Sequence, residues 1–527
     1  MTPAASPVRA GERELVARVL EALLREDYAG LRSRVTAGEL RLPPASSLTV
    51  RLRPGRGMLA TWSVEPADAP DLASLVGALR EIADPRDDVA ALEAECRAAL
   101  SARRLHDAVH APVLAQLSAA ARVGPVTFYD TLAAFTGHPV YPTSPARIGL
   151  SNEELRRYAP EFAPCFDLRW TAVPAGTTSG VRPSWWPTPE QVGLRTGPGV
   201  ELFPVHPLMA ARIQGLAPRP YLEVTPTLSM RTVCVTGDPG IHIKLPLPTS
   251  TLGRRNRRSI VPRTLHDGAL VQRMLAGILE RESDLPVLLA DEQTYGHTGD
   301  ENLGYLVRRF PEATRTAHVI PVAALLARTP SGLTVIEEFG DVEEFFGRYL
   351  HALFAFAVRL LVTYGIALET HQQNLSLVVE PRRLALLVKD NDGALVPPDA
   401  PGAAELSDRR MVTEDPEALA RVFVTITLHL CAGAIAFGLA ERGLLPLDSG
   451  LGLIRDRLRA ALTAVDGPRA ALLRARTLDA DGLAAKAMLT AGTLVDKERT
   501  GAADINKHYG PPGPNYLHPD YLRGTTR

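Results

Sequence analysis

The segment ALETHQQNLSLVVEPRRLALLVKDND (367–392) carries the densest group of oxygen and imidazole donors in the chain. Glu369, His371, Gln373 and Asn374 lie where a long helix gives way to a strand, and Asp390 and Asp392 end the strand after it. A turn of about three residues at Pro381 lets the second strand return antiparallel to the first. That return brings the aspartates back beside Asn374. Carboxylate and amide oxygens from two adjacent loops suit Mg2+ held against a polyphosphate, because magnesium takes one or two carboxylates and completes its shell with phosphate oxygens. Glu369, Asn374 and Asp390 are the metal candidates. A solvated strand–loop–strand, with Asp392-Gly393 as a plain turn, fits the spacing equally well.

A second cluster spans TPTLSMRTV (225–233) and HIKLPLPTSTLGRRNRRSI (242–260). Ser229, Arg231 and Thr232 place two hydroxyls and a guanidinium at a strand start. Lys244 follows in an otherwise apolar strand, and Thr249, Ser250, Thr251 and the Arg254–Arg258 group lie in the loop beyond. Forked guanidinium, point-charge ammonium and small hydroxyls are the groups that clamp phosphates and carboxylates. An arginine-rich solvated face is the competing reading. The chain has only five lysines against 53 arginines, as a GC-rich genome would produce, so each lysine sits where that bias was resisted or irrelevant. Burying an unpaired ammonium is costly, and Lys244 among apolar neighbours therefore implies an anionic partner.

The third cluster, TGHPVYPTSPARIGLSNEELRRYAPEF (136–162), sets His138 and Arg147 in a Pro-rich loop before a helix capped by Ser151. FPVHPLMAARI (203–213) adds His206 ahead of a helix with Pro207 at its first position, where a histidine is more often a structural hydrogen-bonder than a catalyst. The chain contains no GxxxxGK[ST] loop, HExxH, GxSxG, or GxGxxG after a strand.

These clusters need elements to hold them. Apolar residues recur at helical spacing over 12–27, and helices are expected near 70–82 and 86–121, with a strand pair over 47–64 turned at Pro54-Gly55. Strands are expected at 166–174, 231–235, 241–247, 285–290 and 303–310, interrupted by a helix at 264–282. A long apolar helix covers 342–365, strands cover 374–380 and 383–390, and helices dominate 416–490 before a Pro-rich arm. The expectation is an α+β fold in three parts. Residues 1–170 form a mostly helical part, 171–335 a β-rich part with phosphate-binding strands, and 336–527 a part with the Mg/polyphosphate loop and a helical C-terminal region.

Composition bounds the setting. With 527 residues, 22% charged, 46% hydrophobic and a formal charge of −1, the chain is neither disordered nor fibrous and has no long-range pull toward nucleic acid or anionic membrane. No uninterrupted run of about 18 apolar residues is present, and MTPAASPVRAGERELV lacks the apolar core of a secretory signal. Cys96, Cys165, Cys234 and Cys431 lie far apart, which argues against a zinc knuckle or disulfide framework. A cytoplasmic protein with no nucleic-acid or membrane partner is expected, a homodimer being the default assembly.

The ordered set of motifs adds an identity to the pattern. Gly137-His138-Pro139, Pro142, Arg147 and Gly149 are followed by YAPEF (158–162), PVHP (204–207), Ser229-Met230-Arg231-Thr232, HIKLPL (242–247), Glu369-Thr370-His371-Gln372-Gln373-Asn374 and Asp390. This series, from about residue 125 to 395, resembles the NRPS-independent siderophore synthetases, the IucA/IucC or aerobactin-synthetase family. The resemblance implies a cupped-hand architecture of thumb, fingers and palm with ATP in the central cleft. It implies adenylation of a polycarboxylic acid, then attack of an amine or alcohol with loss of AMP. Ser229, Arg231, Thr232, Lys244 and His371 match its phosphate-binding positions, with His138 and Arg147 in the first motif. Arg231, Lys244 and His371 are the expected catalytic groups, and Glu369, Asn374 and Asp390 match positions associated with magnesium. Asn256 and Arg258, with Thr249 and Ser250, fall near the carboxylate site. Two positions depart from the usual first motif, GHPxHPxxKxRxG: Tyr141 replaces the second histidine and Pro145 the lysine.

The loop after Lys244 looks most like the branch acting on free citrate; α-ketoglutarate or a citrate or succinyl monoamide are the alternatives, and the amine is not readable. Two other readings stay open. A kinase-like phosphotransferase would also use a His/Asn loop followed by an Asp. A non-catalytic homologue binding citrate-type ligands would explain Tyr141 and Pro145.

Overall fold

The computed structural model describes residues 7–43, 48–55, 57–195, 199–501 and 508–523. The amino-terminal part is built from helices α1 (Pro7–Arg25), α2 (Leu72–Ile82) and α3 (Val89–Leu117). Each apolar stripe predicted there is buried: Val16, Val19, Leu20 and Leu23 of α1 pack with Leu75 and Leu79 of α2 and Cys96 of α3. Asp71 caps α2 by accepting the Ser74 N–H at 2.7 Å, one residue past the Asp-Ala-Pro start read from the sequence. The strand pair expected over 47–64 is split. Arg53–Pro54 pairs with Trp62–Ser63 around the predicted turn, whereas Thr49–Arg51 joins Glu39–Arg41 instead. Next come the short helices α4 (Phe128–Ala134) and α5 (Asn152–Tyr158). Ser151 and Glu154 form a reciprocal capping box at the start of α5.

A seven-stranded antiparallel sheet follows. Its strands are β1 (Phe166–Asp167), β2 (Ser179–Gly180), β3 (Glu223–Pro226), β4 (Thr232–Val235), β5 (Ile241–Lys244), β7 (Asp291–His297) and β8 (Gly304–Arg309), with β6 (Val287–Leu289) belonging to a second sheet. The spatial order is β1-β3-β4-β5-β8-β7-β2. Lys244 pairs with Thr232 on one side and Leu306 on the other, so its strand is central. Trp170, Trp186, Phe203 and Tyr305 fill the core on one face, and α6 (Pro262–Arg281) packs on β7.

The second sheet has the order β6-β11-β10-β9, with β9 at His318–Pro321, β10 at Leu375–Glu380 and β11 at Arg383–Val388. The predicted hairpin is present, and Leu375 stands opposite Val388. Helix α7 (Val342–Tyr364) is capped by Asp341, stopped by Gly365 at φ 66°, and contributes Phe345, Phe346, Leu350, Phe354 and Leu361 to the largest core. A wholly buried π-helical run, Phe423–Gly433, crosses that core. The 342–364 and 416–441 segments are long and apolar enough to cross a membrane, but they are 72% and 100% buried inside the fold as core helices. All four cysteines carry free thiols.

The Pro-rich tail is not a free arm. β12 (Gly482–Lys486) pairs with β13 (Tyr509–Pro514), and Tyr516 is fully buried with its hydroxyl 2.8 Å from His429 Nδ1. Both strands escaped the sequence reading because they are glycine-, alanine- and proline-rich and lack period-2 alternation. The fold is α+β, as expected.

Candidate active site

Strand β5 delivers Lys244, and the loop after β11 delivers Asp390 and Asp392. Lys244 Nζ donates to Asp390 Oδ1 at 2.6 Å and to Asp392 Oδ2 at 3.0 Å, although the lysine is only 4% exposed. Burial would raise the Asp390 pKa, but Lys244, then Arg308 and Arg231, hold the carboxyl well below the usual range. Asp390 itself adopts φ 66°, a left-handed conformation uncommon for a side-chain-bearing residue. Glu292 holds that turn: its Oε1 accepts the Asp390 N–H at 3.0 Å and the Arg308 Nε–H at 2.6 Å, while Oε2 accepts from Asn391 Nδ2 at 3.3 Å. Glu292 lies at a register shift between Asp291 and Thr294, just after the chain crosses from β6 to β7. Neither Glu292 nor Arg308 carried a signal in the sequence; their pairing is entirely tertiary.

Strand β4 starts at a tight turn. Ser229 Oγ accepts the Thr232 N–H at 3.0 Å, Met230 sits at φ 63°, and Asp130 of α4 accepts the Leu228 N–H at 2.9 Å. Arg231 leaves this turn with Nη1 on the Ser259 carbonyl at 3.0 Å. Arg258 is shifted well below the ordinary arginine pKa by burial, then by repulsion from Arg231 and Arg147. Guanidinium groups stay charged in proteins. Asp390 and Asp392 oppose the shift, so Arg258 stands within electrostatic reach of two guanidinium groups and two carboxylates.

The Arg254–Arg258 group divides by role. Arg254 pairs with Asp88 at 2.7 Å, Arg255 donates to the Ala491 carbonyl at 2.9 Å and Arg257 pairs with Glu301 at 2.9 Å. These three fasten the loop, and Arg258 alone joins Arg231 and Arg147. Gly253, at φ 113°, packs so closely on Gly492 that a Cβ would come within 2.8 Å of its Cα. Of the other loop residues named from sequence, Thr249 donates its hydroxyl to the Ile148 carbonyl at 2.8 Å. Ser250 bridges Ile148 through its backbone, and the Asn256 carbonyl accepts the Thr251 N–H at 3.3 Å.

Two histidines are locked in one tautomer. His138 Nδ1 accepts the N–H groups of Val140 and Tyr141 at 3.2 and 3.1 Å, and His371 Nδ1 accepts the Gln373 N–H at 3.3 Å. Each ring therefore carries its proton on Nε2. Burial lowers the His138 pKa to about 3, with His371 next in effect. Burial lowers His371 to about 4 against the opposing pull of Asp390, with Arg258, Lys486 and Lys389 adding to the fall. Both are neutral donors at pH 7. Arg147 lies on Glu161, Nη2 to Oε1 at 3.3 Å, and this joins the first motif to the YAPEF motif. His206 is the structural hydrogen-bonder expected: its Nδ1 accepts the Leu208 N–H at 3.1 Å, and its ring lies against Tyr158 and Phe166.

Glu369 lies beside the Asp392-Gly393 turn so closely that a Cβ on Gly393 would come within 2.9 Å of Glu369 Oε2. Asn374 Nδ2 reaches the Glu369 carbonyl at 3.4 Å, and the Asn374 carbonyl accepts the Lys389 N–H at 3.2 Å. Among the described residues no three His, Cys, Asp or Glu side chains form a ready-made metal cage. The donor set still fits magnesium, which relies on few protein carboxylates and on substrate phosphates. The convergence of Asp390 and Asp392 on one ammonium group shows that this point favours a cation.

Tyr141 has a structural place. It is fully buried, and its hydroxyl donates to Glu95 Oε1 at 2.9 Å, where Thr143 also donates at 2.6 Å; Thr493 donates to the other oxygen. Loop 137–147 is thereby tied both to α3 and to the C-terminal segment. Tyr141→Phe is expected to lower stability by about 1–3 kcal/mol, the cost of removing a donor from a buried carboxylate. Thermal melting would reveal the loss, with turnover per folded molecule unchanged; a stability-neutral variant would contradict this role.

The IucA/IucC family model matches residues 126–188 and 204–327, and a second family, described as ferric iron reductase FhuF-like transporter, matches 343–501. Among curated proteins, the uncharacterized protein y4xN of Sinorhizobium fredii is 28% identical over 317 residues, 50% of each chain. Staphyloferrin A synthase of Staphylococcus aureus is 24% identical over 49% of this chain and 51% of its own. The chain thus spans about half the length of these relatives. The petrobactin biosynthesis protein AsbB of Bacillus anthracis superposes with a TM-score of 0.76 at 15% identity, over 98% of this chain and 97% of AsbB. ATP-bound aerobactin synthetase IucA of Klebsiella pneumoniae superposes with a TM-score of 0.69 at 15% identity, over 98% and 100%. The family match begins just before α4 and runs through β9, so the His138 loop, the Arg231 turn, Lys244 and the arginine loop are the part of the chain that is similar to the IucA/IucC family.

Proposed function

We propose that this protein is an ATP-dependent ligase that adenylates one carboxylate of a polycarboxylic acid, with citrate as the acid, and joins it to an amine. The convergence of Arg231, Arg258, Lys244 and two Nε2–H imidazoles carries this reading. The first step brings a carboxylate oxygen onto the α-phosphorus of ATP and expels pyrophosphate. Two anions must meet, so fixed positive charge and preorganised donors at the phosphoryl oxygens lower the barrier. Arg231 and Lys244 supply charge, and His371 donates Nε2–H without itself being charged. Arg258, with Arg147 in electrostatic reach, suits the remaining carboxylates of a tricarboxylic acid. In the second step the amine nitrogen attacks the acyl carbon, the C–O bond to AMP breaks, and the nitrogen loses a proton.

Glu369, Asn374 and Asp390 would hold magnesium, which supplies charge neutralisation at the phosphates. ATP as co-substrate accords with the ATP-bound relative.

The test is pyrophosphate release with ATP, Mg2+ and hydroxylamine as surrogate nucleophile, across citrate, α-ketoglutarate, succinate and a citrate monoamide. Citrate is expected to give the signal, with AMP as co-product. ADP in place of AMP would establish phosphotransfer instead, and silence with all four acids would overturn the ligase reading.

A further inference from the structure

The scarcity of lysine turns out to be informative in space. Of five lysines, Lys244, Lys389 and Lys486 all lie in or against the candidate site, while Lys497 is exposed on a short helix and Lys507 lies outside the described residues. Lys389 is buried behind the hairpin, where Asp130 faces it. Lys486 differs from the other two because it comes from the C-terminal sheet, at the end of β12, far in sequence from every motif recognised above. Its side chain is 10% exposed, with Nζ 3.9 Å from Glu369 Oε1, and it acts electrostatically on both His138 and His371.

Its position is fixed from several directions. Glu26 accepts the N–H groups of Leu489 and Thr490 at 3.1 and 2.8 Å, Arg255 holds the Ala491 carbonyl, and the Ala487 N–H donates to the His508 carbonyl at 3.0 Å. A lysine on so well anchored a backbone loses little further freedom when it meets a ligand. Its side chain lies beside the carboxylate of Glu369 and within electrostatic reach of the two Nε2–H imidazoles, and Arg258 also acts on His371. A compact ammonium beside two imidazole donors suits tetrahedral phosphoryl oxygens.

We propose that Lys486 is a further ligand-contacting residue of this site, binding the polyphosphate of the nucleotide from the C-terminal sheet. This rests on the reading of the site as a nucleotide site, and the experiment separates the two. A structural Lys486 would act through Glu369, the carboxylate beside it, so the decisive comparison is made with that carboxylate's charge removed. ATP affinity is measured by titration calorimetry, with Mg2+ and in EDTA, for the wild type, Lys486→Ala, Lys486→Gln, Glu369→Gln and the Glu369→Gln/Lys486→Ala double variant. Thermal melts identify any variant that fails to fold, and Lys486→Gln keeps the side-chain stem if the alanine variant does.

Loss of a charge-assisted contact is expected to weaken ATP binding about tenfold or more, and to do so in the Glu369→Gln background and in EDTA as well. Lys486→Arg should recover most of the affinity, since the charge remains. If removal of Lys486 has no further effect once Glu369 is neutral, the residue only positions Glu369 and the proposal is overturned. Failure of the wild type to bind ATP at all would instead overturn the nucleotide reading, and this assignment with it.

Discussion

Arg231→Ala is expected to slow pyrophosphate release by ~10²–10³-fold, the usual loss when one preorganised donor is removed from developing phosphoryl or oxyanion charge. The backbone that carries Arg231 is set by other residues: Ser229 Oγ on the Thr232 N–H, Met230 in a left-handed conformation, and Asp130 on the Leu228 N–H. Truncating the side chain leaves that turn standing. Arg231 makes no ion pair within 4 Å among the described residues, and its one side-chain bond is to the Ser259 carbonyl. It also repels Arg258. It favours the Asp390 carboxylate as well, so the two effects oppose and its removal should leave the melting temperature close to that of the wild type, which separates a catalytic loss from an unfolding one. Arg231→Lys keeps the charge but not the fork, and should recover only part of the rate. His371→Ala should also suppress the reaction, by removing the Nε2–H donor. Pyrophosphate release within about threefold of wild type in Arg231→Ala would remove Arg231 from the mechanism.

What the sequence disclosed follows the range of the interactions involved. The hairpin that returns Asp390 beside Asn374 was legible because two β-rich runs flank a short turn, and Leu375 does stand opposite Val388. Lys244 was legible because an ammonium in an apolar strand demands a partner, though the partners found are Asp390 and Asp392 of its own chain. The arginine loop was ambiguous for a physical reason. Arg254, Arg255 and Arg257 end on Asp88, the Ala491 carbonyl and Glu301, which only folding brings near, and nothing local distinguishes them from Arg258. Glu292 and Arg308 were invisible for the same reason. Tyr141 looked like damage to a motif, yet it satisfies Glu95 across α3 and the C-terminal segment. Lys486 could have been found from lysine scarcity alone, but its strand, GLAAK, has no apolar alternation to announce it.

Acidification should unfold this protein well before it titrates an ordinary carboxylate. Burial lowers His138, His206 and His242 to about 3 and His371 and His429 to about 4, so all five are neutral in the fold. In the unfolded chain each would titrate near 6.5. Between pH 6.5 and the folded values the unfolded state binds protons that the folded state refuses, and stability falls as pH falls through that window. At pH 5 the loss is about 2 kcal/mol for each such histidine. Asp130 and Glu21, both raised by burial, take up protons more readily in the fold and offset part of it. Five histidines together still approach the whole stability of an ordinary domain, about 5–15 kcal/mol. The melting temperature should therefore drop steeply from pH 7 to pH 5. Because His371 is already neutral at pH 7 and needs no deprotonation, pyrophosphate release should decline in step with the circular-dichroism signal and show no separate limb near 6.5. A melting temperature flat from pH 7 to 5 would mean that these histidines take up protons in the fold as readily as in the unfolded chain. An activity limb near 6.5 ahead of unfolding would mean that a charged imidazole takes part after all.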